Sequence, residues 1–290
     1  MKICILGASG MLGHMLFSEL LRYGHDVYGA VRGPSPMNSP QYRGRILEKI
    51  EALDISSVVS LLDRLGPEVV INAVGLIRHR PEGREALPCI NINAAFPHRL
   101  WKECAARGIR CINYSTDCVF DGQAGRPYTE RDRPTAPDVY GLTKFLGEIA
   151  GPLALTLRTS IIGPELRGRH SLLEWFLAQT GTVRGFSGAI YTGLPTSEQA
   201  RVLAEYILPC REMEGLYHLA ASPITKYELL RLVAQIYEKN IEIVPDDGLR
   251  EDKRLCGEAF AAETNYAAPP WPEMVAALRE AHLRSAAQWG

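Results

Sequence analysis

The chain has 290 residues and a mass of 32.1 kDa, enough for one large α/β domain or a nucleotide-binding domain with a smaller lobe grown into it. Its 32 basic and 33 acidic residues give a formal net charge of −1, which argues against a nucleic-acid or anionic-membrane partner. Seven cysteines with no C-x-x-C pair and no Cys/His cluster at zinc spacing argue against a disulfide framework or a structural metal. Strand-like sequence begins at Lys2, leaving no room for a signal peptide, and no apolar run is long enough to span a bilayer, so a cytoplasmic protein is expected.

Lys2-Ile3-Cys4-Ile5-Leu6 is nearly continuous in apolar character, the mark of a parallel strand covered on both faces, with Cys4 as a small buried hydrophobe. Gly7-Ala8-Ser9-Gly10-Met11-Leu12-Gly13 follows, then a helix with Leu12, Leu16 and Leu20 at four-residue spacing and Gly24 placed to end it. Strand, glycine turn and helix together form a pyrophosphate cradle. Backbone N–H groups and the positive helix end meet the anion, and glycines remove the Cβ atoms that would block it. The spacing Gly7-x-x-Gly10-x-x-Gly13 resembles that of the extended short-chain dehydrogenase/reductase superfamily. Gly7, Ser9, Gly10, Met11, Leu12 and Gly13 are therefore the expected core of a dinucleotide site.

The second strand, Val27 to Val31, ends at Arg32. An NAD site usually has a carboxylate near this point for the ribose 2′-hydroxyl, yet neither Asp nor Glu occurs between Val27 and Leu47. Arg32 suits a 2′-phosphate instead, so NADPH is the expected cofactor, with NADH the alternative. The Pro/Gly/Ser-rich stretch from Gly33 to Gly44 reads as a mobile loop. Leu53-Asp54-Ile55 reads as the end of a short third strand, with Asp54 placed for the adenine amino group as in the superfamily, or as the N-cap of a helix starting near Ser56. Val69 to Asn72 is a further buried strand, and the small residues Ala73, Val74 and Gly75 let the backbone run beside the cofactor.

Residues 110–115, with Cys111 buried, read as the next strand and deliver Thr116 to the carboxyl edge of the sheet, where open α/β folds bind ligands. Tyr140 and Lys144 are four residues apart on a predicted helix and share one face. An ammonium beside a phenol favours the phenolate and suits a proton donor near neutral pH. With these three, the run Ser115-Thr116-Asp117-Cys118-Val119-Phe120-Asp121-Gly122 resembles the dTDP-4-dehydrorhamnose reductase family, which carries Ser-Thr-Asp-Tyr-Val-Phe-Asp-Gly there. The resemblance extends through Leu157-Arg158-Thr159-Ser160 and Gly193-Leu194-Pro195-Thr196 to the C-terminal helices. It implies reduction of a 4-keto group on a nucleotide-activated deoxysugar. In that scheme Tyr140 donates the proton, Thr116 hydrogen-bonds the same oxygen, and Lys144 tunes the phenol and holds the nicotinamide ribose. Cys118 replaces the family tyrosine. It also cannot supply the glutamate that follows Ser-Thr-Asp in the related 4,6-dehydratases.

Past Arg158 the βα alternation becomes irregular. A Rossmann-type doubly wound domain over residues 1–162 and a substrate lobe over 163–290, interleaved with it, are expected. Ser171 to Gln179 reads as an amphipathic helix; Trp175 on it suits stacking on a sugar or base, against the commoner fate of core packing. Arg167, Arg169 and His170 precede it and suit a diphosphate or a solvated loop. Thr196-Ser197-Glu198-Gln199 reads as a capping box opening a helix to about Leu208. Tyr227 to Tyr237 and Glu273 to Ala286 read as helices, and Ile241 to Val244 as a strand. The expectation is an NADPH-dependent reductase of a 4-keto-6-deoxy nucleotide sugar, with the sugar and its nucleotide open and a homodimer left open. The alternatives are a non-catalytic dinucleotide-binding subunit resembling the methionine adenosyltransferase β subunit, and a 4-epimerase, which the missing acidic residue after the second strand disfavours.

Overall fold

The computed structural model of the chain describes residues 1–37, 40–77 and 81–289. The elements run β1 (Lys2–Leu6), α1 (Met11–Arg22), β2 (Asp26–Ala30), β3 (Ile46–Leu47), α2 (Ile55–Leu65), β4 (Val69–Asn72), α3 (Ala86–Cys89), a π-helical turn (Ile90–Ala95), α4 (Phe96–Ala105), β5 (Arg110–Tyr114), α5 (Val139–Leu146) and β6 (Ala154–Arg158). Then follow β7 (Ile161–Ile162), α6 (Leu172–Leu177), β8 (Thr182–Tyr191), β9 (Leu194–Pro195), α7 (Thr196–Val202), β10 (Gly215–His218), β11 (Ile224–Thr225), α8 (Lys226–Ile236), β12 (Glu242–Asp252), α9 (Glu258–Thr264) and α10 (Trp271–Trp289).

Seven strands form one parallel sheet in the order β10-β6-β5-β4-β1-β2-β3, a Rossmann-type α/β architecture. Alternate residues of β1 point to opposite faces and explain its unbroken apolar run. Ile3 and Ile5 pack in one core with Leu16, Phe17 and Leu20 of α1, whereas Cys4 and Leu6 pack with Leu61 and Leu62 of α2 and Leu100 of α4. Burial drives the Cys4 thiol pKa up to about 12, which keeps it a neutral hydrophobe. Chain order reverses between β1 and β4, so the segments leaving these strands diverge and open a crevice at the carboxyl edge.

The edge strand β10 comes from far along the chain, and two buried arginines tie its surroundings back to the sheet. Arg110 donates to Ile207 O and Met213 O, both at 2.8 Å. Arg158, 2% exposed, lies 3.3 Å from His218 Nε2. Of the remaining strands, three build a smaller sheet in the order β11-β8-β12, with β12 parallel to β8 and a register shift between Asp246 and Arg250, and β7 pairs in parallel with β9.

Several expectations need correction. The third strand is Ile46–Leu47 and not Leu53–Ile55, while Asp54 is the N-cap of α2, as its other reading had it. Part of the presumed mobile loop is anchored: Met37 is fully buried and the Tyr42 ring lies 5.3 Å from Phe17 and 4.7 Å from Trp289. Asn38 and Ser39 of that stretch lie outside the described residues. The capping box expected at Thr196 does not form. β9 runs straight into α7, so Pro195 takes the N-cap position and Thr196 is already helical. A capping box does form at Thr225, whose Oγ1 accepts from Glu228 N while Glu228 Oε2 accepts from Thr225 N.

Candidate active site

Leu6 pairs with Ala30 on one side and Asn72 on the other, so the glycine turn, the segment after β2 and the segment after β4 leave the sheet side by side. Gly7 N and Ala8 N both donate to Ala30 O, at 3.1 and 3.2 Å. Gly7 has φ +78°, and a Cβ there would stand 2.9 Å from Ala73 O; a Cβ at Gly13 would stand 2.2 Å from Gly7 O. Ser9 and Gly10 are exposed, Met11 is half-buried and Leu12 is buried beneath them. Gly10 caps α1 without a side-chain bond, and the first helical turn carries no acidic residue. Open N–H groups at the positive end of this helix fit a diphosphate, so the cradle suits a dinucleotide.

Arg32 is exposed two residues beyond Ala30, at the neighbouring strand end. Asp54 Oδ1 accepts from Ser56 N at 3.1 Å and Ser56 Oγ at 2.5 Å, so this carboxylate caps α2; Ile55 is the first helical residue. Ala73 and Val74 are half-buried and Gly75 is exposed. A residue missed in the sequence fixes this segment. Asn93, on the π-helical turn, accepts from Leu76 N at 2.8 Å and donates to Leu76 O at 3.0 Å. Asn91 and Asn93, two asparagines within the otherwise apolar Ile90–Ala95 turn, were the available signal.

At the other end of the crevice, Thr116 follows β5 and is buried. Its Oγ1 accepts from Cys118 N and donates to Asp117 Oδ1, both at 3.2 Å. Cys118 is half-buried beside it. Asp138 caps α5 by accepting from Gly141 N at 2.8 Å, which sets Tyr140 and Lys144 on successive turns. Gly141 lets that helix come close: a Cβ there would stand 2.1 Å from Cys118 O. The structure thus brings the Tyr140–Lys144 helix directly against the Thr116–Cys118 turn. Tyr140 is half-buried, while Lys144 is buried with Nζ donating to Tyr114 O at 2.6 Å. Burial lowers the Lys144 pKa to about 8, against the opposing effect of Glu148.

Beneath this surface lies a polar chain. Ser115 Oγ donates to Glu148 Oε1 at 2.7 Å, and Glu148 receives both Nε and Nη2 of Arg158 at 2.7 Å. Burial, with Arg158 second, lowers the His218 pKa to about 3, so its imidazole is neutral. Asn72 Nδ2 donates to Asn113 Oδ1 at 2.9 Å, and Asn113 Nδ2 to Gly147 O at 3.0 Å, joining β4, β5 and the end of α5.

The substrate-lobe candidates lie on α6 and the loop before it. Arg167, Arg169 and His170 are exposed in the loop before α6, where Glu165 Oε2 accepts from His170 N and Ser171 N. Trp175 is 37% exposed, so core packing is not its fate. A cavity of about 440 Å³ is lined by Gly122, Ser187, Arg250, Glu251 and Asp252 and by none of the expected site residues. Among the described residues, no group of three or more His, Cys, Asp or Glu side chains could hold a metal, and no helix is long and apolar enough to cross a membrane.

A family model described as the RmlD substrate binding domain matches residues 1–247. A probable low-salt glycan biosynthesis reductase of Haloferax volcanii is 34% identical over 165 residues, 54% of this chain and 52% of that protein, so the chain spans about half the length of this relative. The methionine adenosyltransferase 2 subunit beta of Mus musculus is 32% identical over 253 residues, 81% of this chain and 72% of that protein. The dTDP-4-dehydrorhamnose reductase of Bacillus anthracis, solved in complex with NADP, shares the fold with a TM-score of 0.78 at 17% identity, covering 96% of this chain and 98% of that one. With the glycine turn, the Thr116 strand end and the Tyr140–Lys144 helix in their places, the chain belongs to the dTDP-4-dehydrorhamnose reductase-like family of the extended short-chain dehydrogenase/reductase superfamily.

Proposed function

We propose that this chain is an NADPH-dependent reductase of a 4-keto-6-deoxy nucleotide sugar. The observation that carries the reading is the contact of Gly141 with the Cys118 carbonyl, which seats the Tyr140–Lys144 helix on the Thr116 turn. The glycine turn from Gly7 to Gly13, with Ala73 to Gly75 alongside, would hold the dinucleotide, and Arg32 would meet a 2′-phosphate, favouring NADPH over NADH. Asp54 and Ile55 would border the adenine. When bound, the dinucleotide supplies the hydride. Tyr140 gives its phenolic proton to the substrate carbonyl oxygen, and Thr116 donates a second hydrogen bond to the charge developing there. Lys144, an ammonium below about pH 8, favours the phenolate that Tyr140 becomes and binds the ribose. Cys118 faces the sugar in place of the family tyrosine, and Arg167, His170 and Trp175 are assigned to the nucleotide end.

NADPH oxidation at 340 nm with dTDP-, UDP- and GDP-4-keto-6-deoxysugars tests the reading. Turnover with one of them that is lost in Tyr140→Phe, with NADPH binding retained, is expected. A second reading, a dinucleotide-binding regulatory subunit, is favoured by the match to the mouse β subunit, which spans 81% of the chain. NADPH binding without turnover of any keto sugar would shift the assignment to it.

A further inference from the structure

The turn that carries Thr116 is held at both ends by one buried side chain. Thr116 is the N-cap of the short helical turn Asp117–Val119, with its Oγ1 accepting from Cys118 N at 3.2 Å. Phe120 is the C-cap, and its N donates to Asp117 O at 3.0 Å. At the leading end, Ser115 Oγ donates to Glu148 Oε1 at 2.7 Å, and the two oxygens of Glu148 accept from Nε and Nη2 of Arg158, both at 2.7 Å. At the far end, the Arg158 guanidinium lies over the Phe120 ring, 5.2 Å from its centroid, and Tyr128 stacks on the same ring at 4.0 Å. The third arm of the guanidinium is also taken. His218 Nδ1 lies 3.1 Å from the Tyr128 carbonyl, which can only accept, so Nδ1 carries the proton and Nε2 accepts from Arg158 Nη1 at 3.3 Å. Arg158 is 2% exposed and Phe120 is fully buried, so water screens neither contact.

This arrangement asks for a guanidinium. Its planar fork grips a carboxylate with two bonds, keeps a third donor for His218 and presents a flat face to a ring, whereas an ammonium offers one point charge. We propose that Arg158 is a positioning residue for the reduction. By holding Ser115 through Glu148, and Phe120 directly, it fixes both ends of the turn and so the place at which the Thr116 hydroxyl meets the substrate carbonyl oxygen. Glu148 follows the C-cap of α5, so the same grip sets the turn relative to Tyr140 and Lys144. The proposal rests on the reductase reading.

Ser115→Ala releases the leading end and Phe120→Leu the far end, and each leaves the Glu148–Arg158 pair in place. Each should lose about 10-fold or more in kcat with KM for NADPH little changed, since a shift of about 1 Å in a reacting group costs on the order of 100-fold. Ser115→Thr keeps the hydroxyl and should recover most of the loss. Arg158→Lys should lose at least as much, and in that background Ser115→Ala and Phe120→Leu should lose little more, because both ties are already gone. Unchanged kcat in the single variants, or losses that simply multiply with that of Arg158→Lys, would overturn the proposal. A second measurement needs no turnover and decides the matter if Arg158→Lys does not fold. Amide hydrogen exchange should quicken at residues 118 and 120 together in Ser115→Ala and in Phe120→Leu alike, with Tyr114 in β5 at its wild-type rate. Wild-type rates throughout the turn, or quickening confined to the altered end, would overturn the placement. If wild type reduces no keto sugar, the reductase reading fails by itself, and the exchange rates still decide whether Arg158 holds the turn.

Discussion

Replacing Gly141 by alanine probes the contact that assembles the site. The new Cβ would stand 2.1 Å from Cys118 O and 2.7 Å from the Ala136 Cβ. Non-bonded carbon contacts settle at about 3.5 Å, so α5 must retreat by roughly 1 Å. Two effects on stability oppose each other. Alanine in a helix gains about 1 kcal/mol over glycine, and overpacking costs about 1–3 kcal/mol. The net loss of about 0–2 kcal/mol is small against the roughly 5–15 kcal/mol of a folded domain. Activity should lose far more, because a displacement of about 1 Å between Tyr140 and Thr116 costs on the order of 100-fold in rate. The assay is kcat for keto-sugar reduction, with the urea midpoint and NADPH affinity measured on the same preparation. Leu142→Ala, at the adjacent position that is 47% exposed, is the control and should retain activity. A folded Gly141→Ala enzyme with kcat within about threefold of wild type would refute the claim that this contact sets the geometry.

Arg32→Ala should raise KM for NADPH by about 10-fold or more and leave KM for NADH nearly unchanged; equal changes for both would remove Arg32 from the 2′-phosphate. Glu148→Gln leaves the buried Arg158 guanidinium without its full partner, and a loss of about 3–5 kcal/mol in urea unfolding is expected. A loss under about 1 kcal/mol would show that the pair is not essential to the core. The Lys144 pKa is about 8 in the folded chain against an ordinary 10.5. Below about 8 both folded and unfolded chains hold this proton and the burial cost is fully present. Between about 8 and 10.5 the unfolded chain holds more protons, so stability rises with pH. Lys144→Met should flatten that rise in ligand-free protein, and wild-type kcat should fall as pH passes about 8, where the ammonium beside Tyr140 is lost.

Features written in local spacing were legible in the sequence. The apolar runs of β1 and β4 are strands because both faces are covered, and the glycine turn follows from the close approach of Gly7 and Gly13 to neighbouring backbone. The helix carrying Tyr140 and Lys144 follows from their four-residue spacing, and Asp138 caps it in the structure. What failed depends on partners distant in the chain or on competing local bonds. Gly215–His218 has no strong apolar pattern and becomes a strand only because β6 offers an edge. Leu53–Ile55 reads as a strand end on its apolar residues, and only the other reading held, in which Asp54 accepts from Ser56 and caps a helix. Thr196 looks like a cap, but Pro195 fixes the entry one residue earlier. The Glu148–Arg158–His218 chain and the place of Phe120 against Arg158 join segments that no short window spans.

The late arrival of β10 bears on how the protein is made. Its sheet neighbour β6 ends at Arg158, whereas β10 begins at Gly215. During synthesis at about 5–20 residues per second, β6 is therefore an open edge for several seconds, a template for wrong pairing until its partner emerges. Arg110 and Arg158 wait over the same interval for the carbonyls of Ile207 and Met213 and for His218. The nascent nucleotide-binding half should thus need shielding by a chaperone until the ribosome has released His218, and truncations before that point should aggregate.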